Sequence, residues 1–140
     1  KYKEKNIDEI WQKYFNTIQE MAESRLFDIV GHLDLIKVFK FMPNKNIVEM
    51  AKDALIAIKQ ADMTLEINMA GYRKPIKEAY PSYELLQEAF KMGIPITFGS
   101  DAHAPQQVGL YADEVVALAK KVGYTQCAFF KDKKRYMLDL

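Results

Sequence analysis

The chain has 140 residues, of which 49% are hydrophobic and 12% aromatic, and a formal net charge of +1. This length and apolar content suit one ordinary folded domain and exclude a disordered tail. Because 20 basic residues almost balance 19 acidic ones, no global charge draws the protein onto nucleic acid or an anionic membrane, and we expect neither as a partner.

Helix and strand patterns alternate from the start of the chain. Apolar residues at spacings of three to four predict a first helix from about Ile7 to Ser24. The branched and aromatic run Phe27–Val30 predicts a buried strand. Asn46 is expected to cap a second helix that ends near Gln60, and a strand at Met63–Asn68 follows it.

The second half of the chain continues the same alternation. Ser82 is expected to cap a helix at Tyr83–Met92, which Gly93 ends. The remaining predicted elements are a strand, a helix and a final strand before a charged tail, at Pro95–Gly99, Ala112–Val122 and Gln126–Phe130. Alternating strands and helices indicate an α/β fold of parallel strands with flanking helices, because parallel neighbours need a crossover connection.

The predicted sheet is incomplete. Four parallel strands are only part of a barrel, and they leave sheet edges and an apolar face uncovered. We therefore expect a homo-oligomer through the exposed sheet edge when the chain folds alone.

Cysteine content and the chain start bear on the cellular compartment. The single cysteine, Cys127, excludes an intramolecular disulfide, and its apolar surroundings favour a core residue over a nucleophile. No apolar stretch has the length that crosses a bilayer, and the charged start does not resemble a secretion signal. A cytoplasmic location is expected. The chain begins with Lys1 instead of methionine, which suggests truncation.

Polar residues follow three of the predicted strands. In parallel α/β proteins, functional groups gather at the carboxyl ends of the strands. The first strand is followed by Gly31 and His32, the second ends at Glu66–Asn68, and the third ends at Gly99 before the segment 100–103. We expect these strand ends to form one site.

The strongest metal-binding candidates are Asp101 and His103. Two residues apart, they project to the same side of an extended segment and can each approach one ion at about 2 Å. Taken alone, this spacing is more typical of a loop in which Asp101 caps the following turn and His103 only packs against its neighbours. His32 changes the balance, because both histidines of the chain follow an apolar strand with a glycine at its end. We therefore predict one cluster of His32, Asp101 and His103.

Two further features offer supporting roles. Asp34 could accept the free ring proton of a ligating histidine, or equally could cap a helix or a turn. Arg73 and Lys74 lie close to Gly71, so this segment could hold the non-reacting oxygens of a phosphomonoester. The alternative for the second feature is a solvated charged loop.

Three sequence runs together resemble histidinol-phosphatases of the PHP (polymerase and histidinol phosphatase) superfamily. They are FDIVGHLDLI at 27–36, LEIN with AGYRKP at 65–68 and 70–75, and GIPITFGSDAH at 93–103. The runs occur in the family's order, and the resemblance spans nearly all of the chain. It implies a distorted (β/α)7 TIM-like barrel that hydrolyses L-histidinol phosphate in histidine biosynthesis with two or three divalent ions, Zn, Mn or Fe.

The resemblance also implies roles for individual residues. His32, Asp101 and His103 match metal-ligand positions, and we assign Asp101 and His103 to catalysis as well. Arg73 matches a position near the substrate phosphate. The predicted substrate-binding residues are Arg73, Lys74, Asn68 and Ser100. We place Glu66 beside the ligands or the substrate and not among the ligands.

The sequence departs from the family in one respect. The family's N-terminal half carries a His-x-His motif, a further histidine and a Glu that bridges ions, and residues 1–140 contain none of these. We expect the chain to be the C-terminal part of a single PHP-type barrel domain, inactive and without stoichiometric metal on its own. The alternatives are another PHP phosphoesterase, such as a nuclease-like domain attached to a polymerase, and a catalytically silent assembly domain.

Overall fold

The computed structural model describes residues 4–31, 33–34, 42–68, 80–99 and 112–140. Helices and strands alternate within these ranges until the last two elements, which are both strands. In chain order the elements are α1 (Glu4–Ser24), β1 (Ile29–Val30), α2 (Ile47–Gln60), β2 (Thr64–Asn68), α3 (Tyr83–Lys91), β3 (Ile96–Gly99), α4 (Ala112–Val122), β4 (Gln126–Lys131) and β5 (Lys134–Asp139). The predicted alternation is therefore confirmed up to β4.

The central layer is a parallel sheet of three strands in the order β1-β2-β3. Ile29 is in register with Thr64, and Asn68 with Gly99. Helix α2 lies in the chain between β1 and β2, and α3 between β2 and β3, so each connection is a helical crossover. The predicted α/β class with parallel strands and flanking helices is confirmed.

Strand β2 presents a different chemistry on each face. Leu65 and Ile67 are fully buried in the hydrophobic core, which also contains Trp11 of α1 and Leu55 of α2. Because successive residues of a strand point to opposite faces, the other face carries the polar row 64, 66 and 68. This polar row runs towards the carboxyl edge of the sheet.

Two predicted helix ends are confirmed in detail. The Asn46 side chain accepts a hydrogen bond of 3.1 Å from the Glu49 backbone N–H at the start of α2. Beyond α3, Gly93 has a φ of +75°, in the left-handed region that glycine adopts without the steric cost of a Cβ. Both signals are local in sequence.

The C-terminal region differs from the prediction. Strand β4 pairs antiparallel with β5 in a separate sheet, so the predicted fourth parallel strand and the predicted charged tail are both wrong. The chain reverses through Asp132 and Lys133, which have φ angles of 53° and 64° and form a two-residue hairpin turn. Because this turn places β5 beside β4, the backbone of β4 forms its hydrogen bonds with β5.

Several hydrogen bonds help to attach the hairpin and the residue before it to the rest of the protein. The Thr97 hydroxyl donates to the Ala128 carbonyl oxygen at 2.7 Å. Arg135 donates to the Asp62 carbonyl oxygen at 3.0 Å and to Asp62 Oδ1 at 2.9 Å, at the amino end of β2. The Tyr124 hydroxyl, just before β4, donates to the Ile94 carbonyl oxygen at 2.7 Å.

Cys127 lies in β4 and packs against the core while remaining partly exposed. Burial raises the pKa of its thiol, which disfavours the reactive thiolate. This surrounding agrees with the interpretation of Cys127 as a core residue. Across the helices that the structure describes, we find none with the length and apolar content to span a membrane.

Candidate functional site

The structure describes one of the predicted site residues, Asn68. The other six, whose roles stay predictions, lie outside the described residues: His32, Arg73, Lys74, Ser100, Asp101 and His103. Their neighbours in the chain are described and mark where they begin. Gly31 directly precedes His32, and Gly99 directly precedes Ser100.

The three strand ends predicted to form the site lie at one edge of one sheet. β2 is the central strand, and it pairs in parallel with β1 on one side and β3 on the other. Asn68, the last residue of β2, is in register with Gly99, the last residue of β3. The segments that follow β1 and β3 therefore leave the sheet on either side of β2.

The Glu66 carboxylate occupies the space between the neighbouring strand ends. A Cβ built on Gly31 would lie 3.0 Å from Glu66 Oε1. A Cβ built on Gly99 would overlap Glu66 Oε2 and would lie 2.6 Å from Cδ and 3.2 Å from Cγ. A side chain at position 99 would therefore require the Glu66 carboxyl group to move, whereas a Cβ at position 31 would make only a tight contact with Oε1.

Asn68 holds this carboxylate. Its side-chain amide donates to Glu66 Oε1 at 3.0 Å, and the residue is only 1% exposed. The Asn68 backbone is also fixed, because its N–H donates to the Tyr80 carbonyl oxygen at 2.7 Å and its carbonyl accepts from the Tyr80 N–H at 3.0 Å. This bridge joins the two ends of the segment that contains Arg73 and Lys74. Substrate binding by Asn68 itself stays a prediction.

Asp34 caps helix α3. The carboxylate is fully buried, and its Oδ2 accepts a hydrogen bond of 2.9 Å from the Ser82 backbone N–H. A negative charge there also interacts favourably with the helix dipole. Of the two predicted roles, the structure shows the cap, while a contact with a ligating histidine stays a prediction. Ser82 occupies the expected N-cap position, but its own side chain makes no capping bond.

A metal site at this edge would need ligands from the segments that follow β1 and β3. Among the residues that the structure describes, no group of three or more His, Cys, Asp or Glu side chains is placed to hold an ion. The chemistry of the predicted donors, two imidazoles and one carboxylate from His32, His103 and Asp101, suits zinc, manganese or iron. These donors follow the ends of β1 and β3, on either side of Glu66. The chemistry of the predicted set therefore fits a divalent cation, while its placement stays a prediction.

Sequence reasoning located the strand ends and placed Glu66 beside the ligands or the substrate, but it did not predict the position of its carboxyl group between Gly31 and Gly99. The signal that could have found it is an acidic residue near the end of a central strand, with a glycine at the end of each neighbouring strand. Reading that signal requires the register of all three strands, in which Glu66 pairs with Thr97. Spacing along the chain does not provide this register.

Comparison with known proteins identifies the family. A family profile described as PHP-associated matches residues 86–121. A Deinococcus radiodurans protein named "Probable histidinol-phosphatase" is 37% identical over 122 residues, covering 87% of this chain and 46% of that protein. The chain belongs to the PHP superfamily. The resemblance found in the three sequence runs is thereby confirmed.

Other relatives of this PHP chain agree. The histidinol-phosphatase of Bacillus subtilis is 32% identical over 118 residues, covering 78% of this chain and 44% of that protein. A crystal structure described as a histidinol phosphatase from Listeria monocytogenes matches with a TM-score of 0.67 and 25% identity, covering 76% of this chain and 44% of that one. The PHP chain thus spans about half the length of the curated relatives it matches.

Proposed function

We propose that the complete protein containing this chain is a metal-dependent histidinol-phosphatase that converts L-histidinol phosphate to L-histidinol and phosphate. The observation that carries the proposal is the meeting of three strand ends at one sheet edge around Glu66, directly before the predicted ligands. Similarity to proteins named histidinol-phosphatase over most of the chain supports the substrate.

The fold proposal is that the parallel sheet forms part of a distorted (β/α)7 TIM-like barrel. Within the described ranges, β1 pairs on one side only, with β2. Apolar side chains just before β1 in the chain are exposed, including Leu26 at 78% and Phe27 at 55%. Such exposure supports a further strand at this edge, because a sheet closed into a barrel has no open edge.

The predicted ligands would hold the metal ions at the carboxyl edge of the sheet. His32, Asp101 and His103 would bind two or three divalent ions, together with ligands from outside these 140 residues. When bound, the ions would lower the pKa of a coordinated water and offset the charge on the phosphoryl oxygens.

The remaining predicted residues would bind and orient the substrate. The planar guanidinium of Arg73 suits two phosphate oxygens at once, and Lys74 adds a point charge. Asn68 and Ser100 would complete the substrate contacts at the ends of β2 and β3. A protonated Asp or His at the same edge would donate a proton to the leaving alkoxide.

Turnover by the complete protein tests the proposal. We expect L-histidinol phosphate to be hydrolysed faster than a nucleotide or a DNA end, with activity lost to a chelator and restored by zinc, manganese or iron. Asp101→Ala and His103→Ala should abolish turnover, while the exposed Lys131→Ala should not change it. Near-normal turnover in either of the first two variants would remove the site assignment, and preference for the DNA end would favour a nuclease-like PHP activity.

Three expectations about the cellular context stay predictions. The balanced charge predicts no nucleic-acid partner and no membrane partner. Within the described ranges, the outer edge of β1 has no strand partner. We predict that a second copy associates there when no other strand covers the edge. A cytoplasmic location also stays a prediction, which the single cysteine favours.

A further inference from the structure

Strand β5 has one open edge. Within the described ranges it pairs with β4 alone, and every residue of the strand is exposed. The residues that flank a two-residue hairpin turn, here Lys131 and Lys134, form a hydrogen-bonded pair. Because the backbone groups of a strand alternate in direction, the N–H and C=O groups of Arg135, Met137 and Asp139 point to the open edge.

The residues along this edge are complementary to a second copy of themselves. Arg135 and Asp139 lie two residues on either side of Met137. Antiparallel pairing of two β5 strands, centred on Met137, therefore places each Arg135 opposite the partner's Asp139. The same register sets the two Met137 side chains against each other, and Tyr136 against the partner's Leu138. Opposite charges and apolar side chains that face each other across a strand pair stabilise it.

We propose that two copies of the protein associate through β5 and form one antiparallel sheet in the order β4-β5-β5-β4. The pairing would satisfy the backbone groups of both open edges and would partly cover the exposed apolar side chains of Tyr136, Met137 and Leu138. This contact differs from pairing at β1, because the proposed barrel would cover the outer edge of β1, whereas β5 lies in a separate sheet.

The pattern of charges selects one register. Sliding one strand by two residues places either Arg135 or Asp139 opposite Met137, so the ion pairs are lost and a charge faces an apolar side chain. Sliding by one residue brings together side chains that point to opposite faces. Lysines on an edge strand discourage pairing with strands that do not match. The edge is therefore suited to a second copy of this chain.

The contacts already made by the two charged residues are compatible with this pairing. Arg135 donates to the Asp62 carbonyl oxygen at 3.0 Å and to Asp62 Oδ1 at 2.9 Å, which holds the arginine at the sheet. Asp139 Oδ1 accepts a hydrogen bond of 3.2 Å from Gln126 Nε2. A carboxylate accepts several hydrogen bonds, so Asp139 can also accept from the partner's Arg135.

The association is expected to be weak, because a contact one strand long is smaller than the interface of a stable dimer. Two copies should therefore separate on dilution. Urea or thermal unfolding of the dilute protein then measures the single chain, and a loss of pairing is measured separately from a loss of folding.

The first experiment is sedimentation equilibrium of the complete protein over a range of concentrations. The mass of the wild type should rise towards that of a dimer. Met137→Lys sets two lysines against each other at the centre of the pair and should weaken dimerisation more than about tenfold. Met42→Lys is the matched control, since Met42 is 48% exposed and Met137 41%. The control should change the dissociation constant by less than about twofold.

The second experiment tests the ion pair by mixing two variants. Asp139→Arg places two arginines opposite each other, and Arg135→Glu places two carboxylates opposite each other, so neither variant alone should dimerise. In a mixed pair, Arg135 of the first variant faces Asp139 of the second, and the two introduced charges also face each other with opposite signs. The equimolar mixture should therefore recover the dimer. Thermal unfolding of each dilute variant checks that its chain is folded.

The outcomes decide the inference. A wild type that stays a monomer at every concentration would overturn it. A dimer that persists undiminished in Met137→Lys would also overturn it, because the contact would then lie on another surface, such as the outer edge of β1. A mixture that dimerises no better than its separate components would overturn the register. These measurements do not depend on hydrolysis of histidinol phosphate, so the proposed function is tested separately.

Discussion

The two sheets of this protein use their strands in opposite ways. In β2 of the parallel sheet, every residue except the half-buried Glu66 is buried. In β5 of the hairpin, every residue is exposed. A polar group inside the parallel sheet therefore needs a partner, as Asn68 and Glu66 provide for each other, whereas solvent satisfies the polar groups of β5. The parallel sheet is where sequence changes are constrained.

The hairpin is attached to the rest of the protein mainly through β4. Cys127 of β4 packs against the core, and Thr97 and Arg135 add hydrogen bonds. Its exposed apolar residues are offset by charges at Lys133 and Lys134, and lysines on an edge strand discourage pairing with other chains. The comparison predicts large effects of substitution in the sheet and small ones in the hairpin.

The largest expected effect comes from truncating the core face of β2. Ile67→Ala should lower the free energy of unfolding by about 2–5 kcal/mol, because it leaves a cavity under a fully buried side chain. Leu138→Ala in β5, where the side chain is 53% exposed, should change it by about 0.5 kcal/mol or less. Urea unfolding of the complete protein measures both, and equal losses would contradict the contrast between the sheets.

Removing the cap of α3 should have the next largest effect. Asp34→Ala removes a buried charged acceptor from the Ser82 N–H, and should cost about 1–3 kcal/mol. Ser82→Ala should cost about 0.5 kcal/mol or less, because the Ser82 hydroxyl makes no capping bond. Urea unfolding of the two variants tests this order. A larger loss for Ser82→Ala would show that the usual N-cap contact operates after all.

Tyr124 should give a smaller effect that depends on pH. Tyr124→Phe removes the hydrogen bond to the Ile94 carbonyl and should cost about 0.5–1.5 kcal/mol at neutral pH. Burial raises the pKa of the Tyr124 phenol above its usual range. Because the unfolded chain has a tyrosine pKa of about 10, this contribution is complete below that pH and is lost as the pH rises above it.

Unfolding midpoints measured between about pH 8 and pH 11 test the Tyr124 prediction, because this range includes the usual tyrosine pKa. The wild type should lose more stability than Tyr124→Phe over this interval, so the difference between the two proteins should shrink as the pH rises. Parallel curves would show that the Tyr124 proton is not linked to folding.

The smallest expected effect concerns the contact between the hairpin and the amino end of β2. Arg135→Met should cost about 0.5–1 kcal/mol, mainly through the lost bond to the Asp62 carbonyl, because the Asp62 side chain is 79% exposed and its ion pair is screened. Lys134→Met, on the neighbouring exposed position, is the control and should be nearly neutral. A loss that disappears in high salt would instead assign the effect to the ion pair.

Elements with a local signal could be predicted from the sequence. Asn46 at the start of α2 and Gly93 after α3 are signals that depend on nearby backbone atoms alone. β5 escaped prediction because its turn, Asp132–Lys133, lacks the glycine that usually marks a two-residue hairpin. Its exposed strand also shows no buried face to detect.

The candidate site was predictable only in part for a similar reason. The glycines that end two strands were visible in the sequence and pointed to one sheet edge. The place of Glu66 between them depends on the register of β2 against both neighbours, which forms only when the sheet assembles. The sequence allowed Asp34 either to support a ligating histidine or to act as a cap. The capping contact, with the Ser82 N–H, joins residues 48 positions apart in the chain, so it appears only in the folded structure.

The backbone bridge between Asn68 and Tyr80 allows the segment between them, residues 69–79, to change in length or sequence independently of the sheet. Since its two ends are joined by hydrogen bonds to each other, the segment enters and leaves the domain at one point. Lengthening or rewriting it then costs little chain entropy and leaves the strand register undisturbed. Substitutions within residues 69–79 are therefore compatible with an unchanged scaffold beneath them.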